Sequence, residues 1–390
     1  MMQGKLQPAA RADRVAPFQV MRILERARER EARGHDVIHM EIGEPDFPTP
    51  APVLEAARRA LTEQSLGYTP AAGLPRLRQA IARYYARRYG LDLDPERVFV
   101  TPGGSGALQL VLSAVIDVGD EVLTPDPGYP CIRHVVALLG GRASMVPAGA
   151  EDGFVPGIER LESRWTEQTR ALLFATPANP TGAVVSRASV ARLAELARER
   201  RAALIVDEIY QGLTYGVEDH TALSSGGGDV FVINSFSKYF GMTGWRLGWL
   251  VAPRSFCPVL HRLAQNLYLA APTLPQHAAL AALEPETLEL LDQRRDRLQT
   301  RRDLLVAGLR DLGFRVESAP AGAFYVYAGI PDGWDGAETL AEHLLTDADV
   351  AVTPGTDFGA WETDRRLRFS YTASRARIDC ALNRIRRAIR

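Results

Sequence analysis

Lysine is nearly absent from this 390-residue chain. Lysine and arginine together number 46, and only Lys5 and Lys238 are lysines, which leaves 44 arginines. Other scarcities bound the function. The three cysteines, Cys131, Cys257 and Cys380, are odd in number, far apart and outside any C-x-x-C pair. They suggest no disulfide framework and fit a reducing compartment, so a cytoplasmic location is expected. The seven histidines are scattered, with neither H-E-x-x-H nor a Cys/His pairing at zinc spacing, and no metal site is expected. No apolar run approaches the roughly 18 residues of a membrane span. The first residues lack the apolar centre of a signal peptide. Formal net charge is -1, so no overall field draws the chain toward nucleic acid or an anionic membrane, and neither is an expected partner.

What is present is an ordinary globular composition, 46% hydrophobic and 24% charged. Arginines interleave with acids in stretches such as "RILERARERE" and "LAELARERR", the pattern of solvated helix faces carrying ion pairs. The length allows two domains. From residue 95 onward, short apolar runs ("RVFVT", "DEVLTP", "RASMVP", "RALLFATP", "AALIVDE", "DVFVINS") alternate with amphipathic stretches such as "SGALQLVLSAVI" and "SRASVARLAELARERR". Near-continuous β-branched runs read as strands buried on both faces, and their alternation with helices predicts an α/β fold. Its sheet is mostly parallel, with helices on both faces.

After "PTLPQ" the texture changes. A long amphipathic helix, "ETLELLDQRRDRLQTRRDLLVAGLRDL", precedes "GFRVES", "GAFYVYAGI", a helix near 337–346, "VAVTP", "RRLRFSYT" and a final helix. That pattern predicts a smaller α+β domain. The expected division is an N-terminal arm and part of the small domain at 1–44, a large domain at 45–284 and a small C-terminal domain at 285–390. A helix at 17–33 is expected to pack with the small domain. "SSGGGD" reads as a surface turn.

Several motifs carry chemistry. "VFVTPGGSGALQLVL" is a strand, a glycine-rich turn and a helix, in which Gly103, Gly104 and Ser105 suit an anion at a helix N-terminus. A purely structural tight turn explains it equally well. It matches neither a Walker A loop, which needs a Gly-Lys-Ser/Thr ending, nor a dinucleotide fingerprint, because Gln109 stands where the third glycine belongs. "GGSGA" also approaches the G-x-S-x-G nucleophile elbow, with Ser105 as nucleophile, but the later histidines His261, His277 and His343 fall on predicted helices or at their ends. "SFSK" spells the S-x-x-K of penicillin-binding proteins, whose later K-T-G is impossible here because no lysine follows Lys238. "FATPANPTGAVV" places Asn179 in a loop beyond a strand, where open α/β sheets hold ligands; a proline-shaped turn is the plainer alternative. "AALIVDEIY" ends a strongly apolar strand on Asp207 and Glu208, with Tyr210 beyond. A carboxylate so placed needs a cationic partner or a capping role.

Lys238 follows the strand "VFVINS" and projects from the same sheet edge. Arginine supplies charge and a bidentate fork but does not lose its proton in a protein. A primary amine does, and it then condenses with a carbonyl to form a Schiff base. One edge thus offers a phosphate-cradling turn, an Asn, an Asp, a Tyr, Ser235, Ser237, Lys238 and Arg246. Pyridoxal phosphate, an aldehyde with a phosphate and a basic ring nitrogen, uses all of them.

The chain resembles the fold-type I pyridoxal-phosphate aminotransferases of the class I/II branch, which contains the aspartate and aromatic aminotransferases. The resemblance runs from "EIGEPDF" to "RLRFSYTASRARI" through "YTPAAGLPRLRQAIA", "TPGGSGAL", "PDPGYP", "NPTG", "VDEIY" and "SFSKYFGMTGWRLGW", in family order. It implies transamination between an L-amino acid and a 2-oxo acid, with pyridoxal 5'-phosphate as a Schiff base on Lys238. It further implies Asp207 at the pyridine nitrogen, Asn179 and Tyr210 at the ring hydroxyl, and Tyr129 stacked on the ring. Gly103, Gly104, Ser105, Ser235, Ser237 and Arg246 would hold the phosphate. Tyr68 would reach the phosphate of a neighbouring subunit, which makes a homodimer with shared sites. Arg368 and the backbone at Gly43 would bind the substrate α-carboxylate. The same scaffold also supports C–S lyases that act by β-elimination, and it serves as a ligand-sensing domain in some transcription regulators. The apolar "VAPFQV" near the site inclines the expectation toward neutral or aromatic amino acids.

Overall fold

The structure, a computed structural model, describes residues 6–225 and 229–389. Lys5 and the central glycines of "SSGGGD" lie outside the described residues. The strands are β1 (Ile38–His39), β2 (Val98–Thr101), β3 (Glu121–Asp126), β4 (Arg142–Pro147), β5 (Thr169–Ala175), β6 (Ala203–Asp207), β7 (Val230–Ser235), β8 (Gly248–Val251), β9 (Tyr325–Gly329), β10 (Val350–Ala351), β11 (Thr353–Pro354) and β12 (Arg366–Ser370). The helices are α1 (Gln19–Ala32), α2 (Ala51–Glu63), α3 (Pro75–Tyr89), α4 (Gly103–Val115), α5 (Pro130–Leu138), α6 (Ile158–Arg164), α7 (Arg187–Glu199), α8 (Cys257–Leu267), α9 (Thr273–Ala282), α10 (Pro285–Asp311), α11 (Ala337–Asp347) and α12 (Arg375–Ala388). No helix among the described residues is long and apolar enough to cross a membrane.

A seven-stranded sheet in the order β2-β8-β7-β6-β5-β3-β4 organises the larger part of the chain. The expected apolar runs become its strands, and successive residues feed opposite faces. Leu204, Val206, Val230 and Val232 join the core on one side, whereas Ile205, Phe231 and Ile233 join the core on the other. All pairings from β7 to β4 are parallel. The exception is β8, which runs antiparallel to both β2 and β7. Its reversed direction brings the start of β8 to the edge where its neighbours end, with Gly248 opposite both Thr101 and Ser235. The alternation of strands and helices did not reveal β8.

The remainder forms a smaller unit around the antiparallel sheet β11-β12-β9, with β1 pairing parallel to β10. The 27-residue α10 runs alongside α12 and β9. Helix α1 lies against β10 and β11, and Arg30 ties it to Asp349 at 2.7 Å. Two of the segments named above do not form single strands. "GFRVES" is no strand: only Arg315 bridges, to Gly329, and the chain turns on either side. "VAVTP" is not continuous but splits into β10 and β11, which pair in different sheets.

Candidate active site

The C-terminal ends of β2, β3, β5, β6 and β7 share one edge, and the residues singled out in the sequence follow them there. Lys238 lies three residues past β7 in a turn whose shape is set locally. Ser235 Oγ accepts from the backbone N–H of Ser237 at 3.1 Å and donates to the carbonyl of Leu247 at 3.1 Å. Phe236 and Phe240 pin the turn into the core: both are buried, and both rings pack on Trp249. The Lys238 amine emerges toward the small domain and donates to the carbonyl of Gly43 at 2.7 Å.

Opposite stands Asp207, the last residue of β6. It is buried, and its Oδ1 accepts only the backbone N–H of Ile209, at 3.1 Å. No cationic side chain pairs with it among the described residues. Burial therefore pushes its carboxyl up to about 7, against the smaller opposing effects of the Ile209 N–H and Lys238. Burial also depresses the Lys238 amine, helped by the nearby charges of Arg368 and Arg246, to about 8. A strong base and a weak acid have been moved toward neutrality across one cavity.

That cavity, of about 110 Å³, is lined by Gly104, Ser105, Leu108, Tyr129, Asp207, Ile209, Ser235, Ser237, Lys238, Thr243 and Arg246. One end is built for an anion. Helix α4 begins there at Gly103, so its free N–H groups open into the site. Gly103 has φ +72°, and a Cβ on it would lie 2.7 Å from a guanidinium nitrogen of Arg246. Arg246 is itself left-handed, at φ 53°, which turns its side chain back over the α4 terminus. Gly248 must be bare, because a Cβ would meet the backbone of Gly103 and Gly104 at 2.7 and 2.8 Å. Ser105 has no histidine partner among the described residues, which leaves the nucleophile-elbow reading without a base.

The small-domain side supplies Arg368, from β12. Its Nη1 donates to Asn179 Oδ1 at 2.8 Å, and its Nη2 donates to the carbonyl of Glu41 and to Thr353 Oγ1. Its Nε is buried without a partner. Tyr210 shares a 2.9 Å hydroxyl–hydroxyl hydrogen bond with Tyr325. The structure thus brings together every expected site residue but one. Tyr68 is 88% exposed and does not line its own chain's cavity.

The family model for class I and II aminotransferases matches residues 35–385. The chain belongs to that family. It is 37% identical over 372 residues to the valine–pyruvate aminotransferase of Mycobacterium tuberculosis, covering 95% of this chain and 96% of that one. It is 36% identical over 385 residues to the aspartate/prephenate aminotransferase of Thermus thermophilus, covering 97% and 98%. Among solved structures, the aspartate aminotransferase of Thermus thermophilus with maleate superimposes with a TM-score of 0.93 at 35% identity, covering 98% of this chain and all 100% of that one.

This aminotransferase therefore has the aspartate aminotransferase fold and uses pyridoxal phosphate. Its residues fit that group on their own evidence. A buried carboxyl without a cationic partner suits a protonated ring nitrogen, a depressed amine suits a carbonyl, and the α4 terminus with Arg246 suits a phosphate.

Tyr325 escaped the sequence reading. It belongs to the apolar-looking run "GAFYVYAGI", where nothing distinguishes it from a core residue. Its hydroxyl occupies the place of a Gly43 side chain, since a Cβ there would lie 1.8 Å from it. Gly43→Ala is expected to displace the Gly43 carbonyl from the Lys238 amine and lower kcat/KM by about 10²-fold. Adding Tyr325→Phe, which removes the obstructing oxygen, should recover part of that loss. Steady-state kinetics on both variants checks this.

Proposed function

We propose the following division of labour for transamination between an L-amino acid and a 2-oxo acid. Lys238 is the base that takes the proton from the substrate Cα and returns it, with the Gly43 carbonyl orienting its amine. Asp207 holds positive charge at the ring nitrogen. Asn179 and Tyr210 would serve the ring hydroxyl, and Tyr129, which lines the cavity, would pack on the ring. The α4 terminus, Ser105, Ser235, Ser237 and Arg246 hold the phosphate. Arg368 receives the substrate α-carboxylate, for which its bidentate fork is suited. When bound, pyridoxal phosphate supplies the carbonyl that carries the amino group and the ring that accepts electrons. The observation that carries this reading is geometric: the Lys238 amine and the buried carboxyl of Asp207, which has no cationic partner among the described residues, line one cavity whose other end is the α4 terminus with Arg246.

Phe18 meets Tyr129 edge-to-face at 6.3 Å, which puts an apolar surface beside the site and favours a neutral or aromatic substrate side chain. The test is a spectroscopic half-reaction screen of amino acids against the holoenzyme. Neutral and aromatic donors should change the cofactor absorbance, and 2-oxo acids should reverse the change. A response to no amino acid would overturn the assignment. Release of pyruvate from cysteine-type donors without an acceptor would instead identify a C–S lyase.

We also propose a homodimer with shared sites, in a cytoplasmic setting that the three free cysteines suit. Support comes from Tyr68, which is exposed together with Leu61, Leu66, Leu267 and Leu269. Thr273 Oγ1 donates to the carbonyl of Gly67 at 2.8 Å and ties the two exposed segments together. A Tyr68→Ala subunit mixed with a Lys238→Ala subunit is expected to regain activity, because each mixed dimer has one site with both residues intact. Activity no higher than the sum of the two separate variants would sink the shared-site arrangement.

A further inference from the structure

Asp126, the last residue of β3, has no part in the roles above. It is buried and makes no ion pair among the described residues. Its Oδ1 and Oδ2 each accept from the backbone N–H of Ala360 at 3.1 Å, and Oδ2 also accepts from that of Trp361 at 3.3 Å. The turn that follows holds the same loop. The backbone N–H of Gly128 donates to the carbonyl of Phe358 at 2.9 Å. Arg133, on α5, donates from Nη2 to the carbonyl of Asp357 at 2.7 Å. Of the loop's residues 357 to 361, only Gly359 is not held through its backbone by these contacts, and it has no room for a side chain. A Cβ there would fall 1.7 Å from Asp126 Oδ1.

The two sides of this junction belong to different halves of the site. On the sheet side, the turn ends in Tyr129, which lines the cofactor cavity. On the small-domain side, the loop carries Phe358, fully buried, whose ring centre lies 4.7 Å from the Arg368 guanidinium carbon. Tyr325 lies at 4.3 Å from the same carbon. Arg368 is thus placed by two aromatic rings as well as by its hydrogen bonds, and the Phe358 ring is held by the loop that Asp126 grips. The loop also anchors α1, because the carboxylate of Asp357 accepts from the N–H groups of Gln19 and Val20 at 3.2 and 3.4 Å.

We propose that Asp126 is a positioning residue, whose carboxylate clasps the 360–361 backbone and thereby sets Arg368 for the substrate carboxylate. The proposal rests on the reading of Arg368 as the carboxylate-binding arginine. It concerns binding and not the proton transfer, so it makes a specific kinetic demand. Amino acid and 2-oxo acid share the carboxylate, and their KM values must move together while kcat stays nearly constant.

Asp126→Asn keeps the shape but turns an amide donor toward two N–H groups. In that holoenzyme, the amides of Ala360 and Trp361 are expected to exchange with solvent at least about 10-fold faster, since a charge-assisted pair has been lost. The des-amino carboxylate of the best donor amino acid, titrated by calorimetry, should bind about 10-fold more weakly, with KM for both substrates raised alike. Cofactor affinity and kcat should stay within about two-fold. Gly359→Ala, which pushes a methyl into the carboxylate, should reproduce the binding defect, and adding Asp126→Ala should cause no further loss because the clasp is already broken. Faster amide exchange with unchanged carboxylate affinity would overturn the proposal, as would unchanged exchange or additive losses in the double variant. If the wild-type protein fails the half-reaction screen, the functional reading falls, while amide exchange still reports whether the clasp exists.

Discussion

Lys238→Arg should abolish transamination, by more than about 10⁴-fold, in a protein that still folds and keeps its positive charge. Arginine can donate to the Gly43 carbonyl much as the amine does at 2.7 Å. It cannot give up its proton at any pH the protein survives, and its delocalised nitrogen is a poor nucleophile. The native amine is set for the opposite behaviour, because burial and the charges of Arg368 and Arg246 bring it down to about 8. An appreciable fraction is therefore free base near neutrality, against almost none at the usual lysine value of about 10.4. Reductive methylation of the apoprotein at graded pH should label Lys238 with a midpoint near 8. Borohydride treatment of the holoenzyme, followed by peptide mass mapping, should place the cofactor on the peptide containing Lys238. A label on Lys5, or none, would refute the assignment. A chain with 44 arginines and two lysines keeps one lysine where only an amine serves.

The large sheet and most of its edge were legible because they depend on local pattern. A buried parallel strand must be apolar along its length, so "ALLFA", "ALIVD" and "VFVINS" show themselves. The polar residues just beyond them must then lie on one edge. Strand β8 was not legible, because "GWLV" is only four residues long and follows directly on the lysine motif. Yet its reversed direction is what delivers Arg246 to the edge where the other strands end. Tyr325 was hidden for another reason: its site contacts, Gly43 and Tyr210, are 282 and 115 residues away in sequence. The clasp was still less visible, since Asp126 grips backbone N–H groups, which every non-proline residue possesses. Only the bare Gly359 marks that junction, and a glycine in a loop has many ordinary explanations. Residue type reports chemistry well and long-range backbone contact poorly.

Asp207→Ala should lower turnover by about 10²- to 10³-fold while leaving some cofactor bound, because charge stabilisation is removed and the phosphate and amine contacts remain. Near-normal single-turnover rates in that variant would refute the role. The apoprotein offers a second and opposite signal. The Asp207 carboxyl is raised from 3.8 to about 7 by burial, so the folded state binds its proton more tightly than the unfolded state does. Between those two values the folded protein holds more protons, and stability therefore falls as pH rises. The burden is absent below the unfolded value and complete above about 7. Asp207→Asn, which cannot ionise, should make the apoprotein more stable than wild type at pH 8 and equal to it near pH 3. With cofactor present the order should reverse, because a cationic ring nitrogen stabilises the carboxylate and gives the asparagine nothing to match. Thermal unfolding of both proteins, with and without pyridoxal phosphate, at both pH values, measures the crossover. If wild type is the more stable apoprotein at pH 8, the raised carboxyl is not a vacant counter-charge, and Asp207 serves the fold instead of the cofactor.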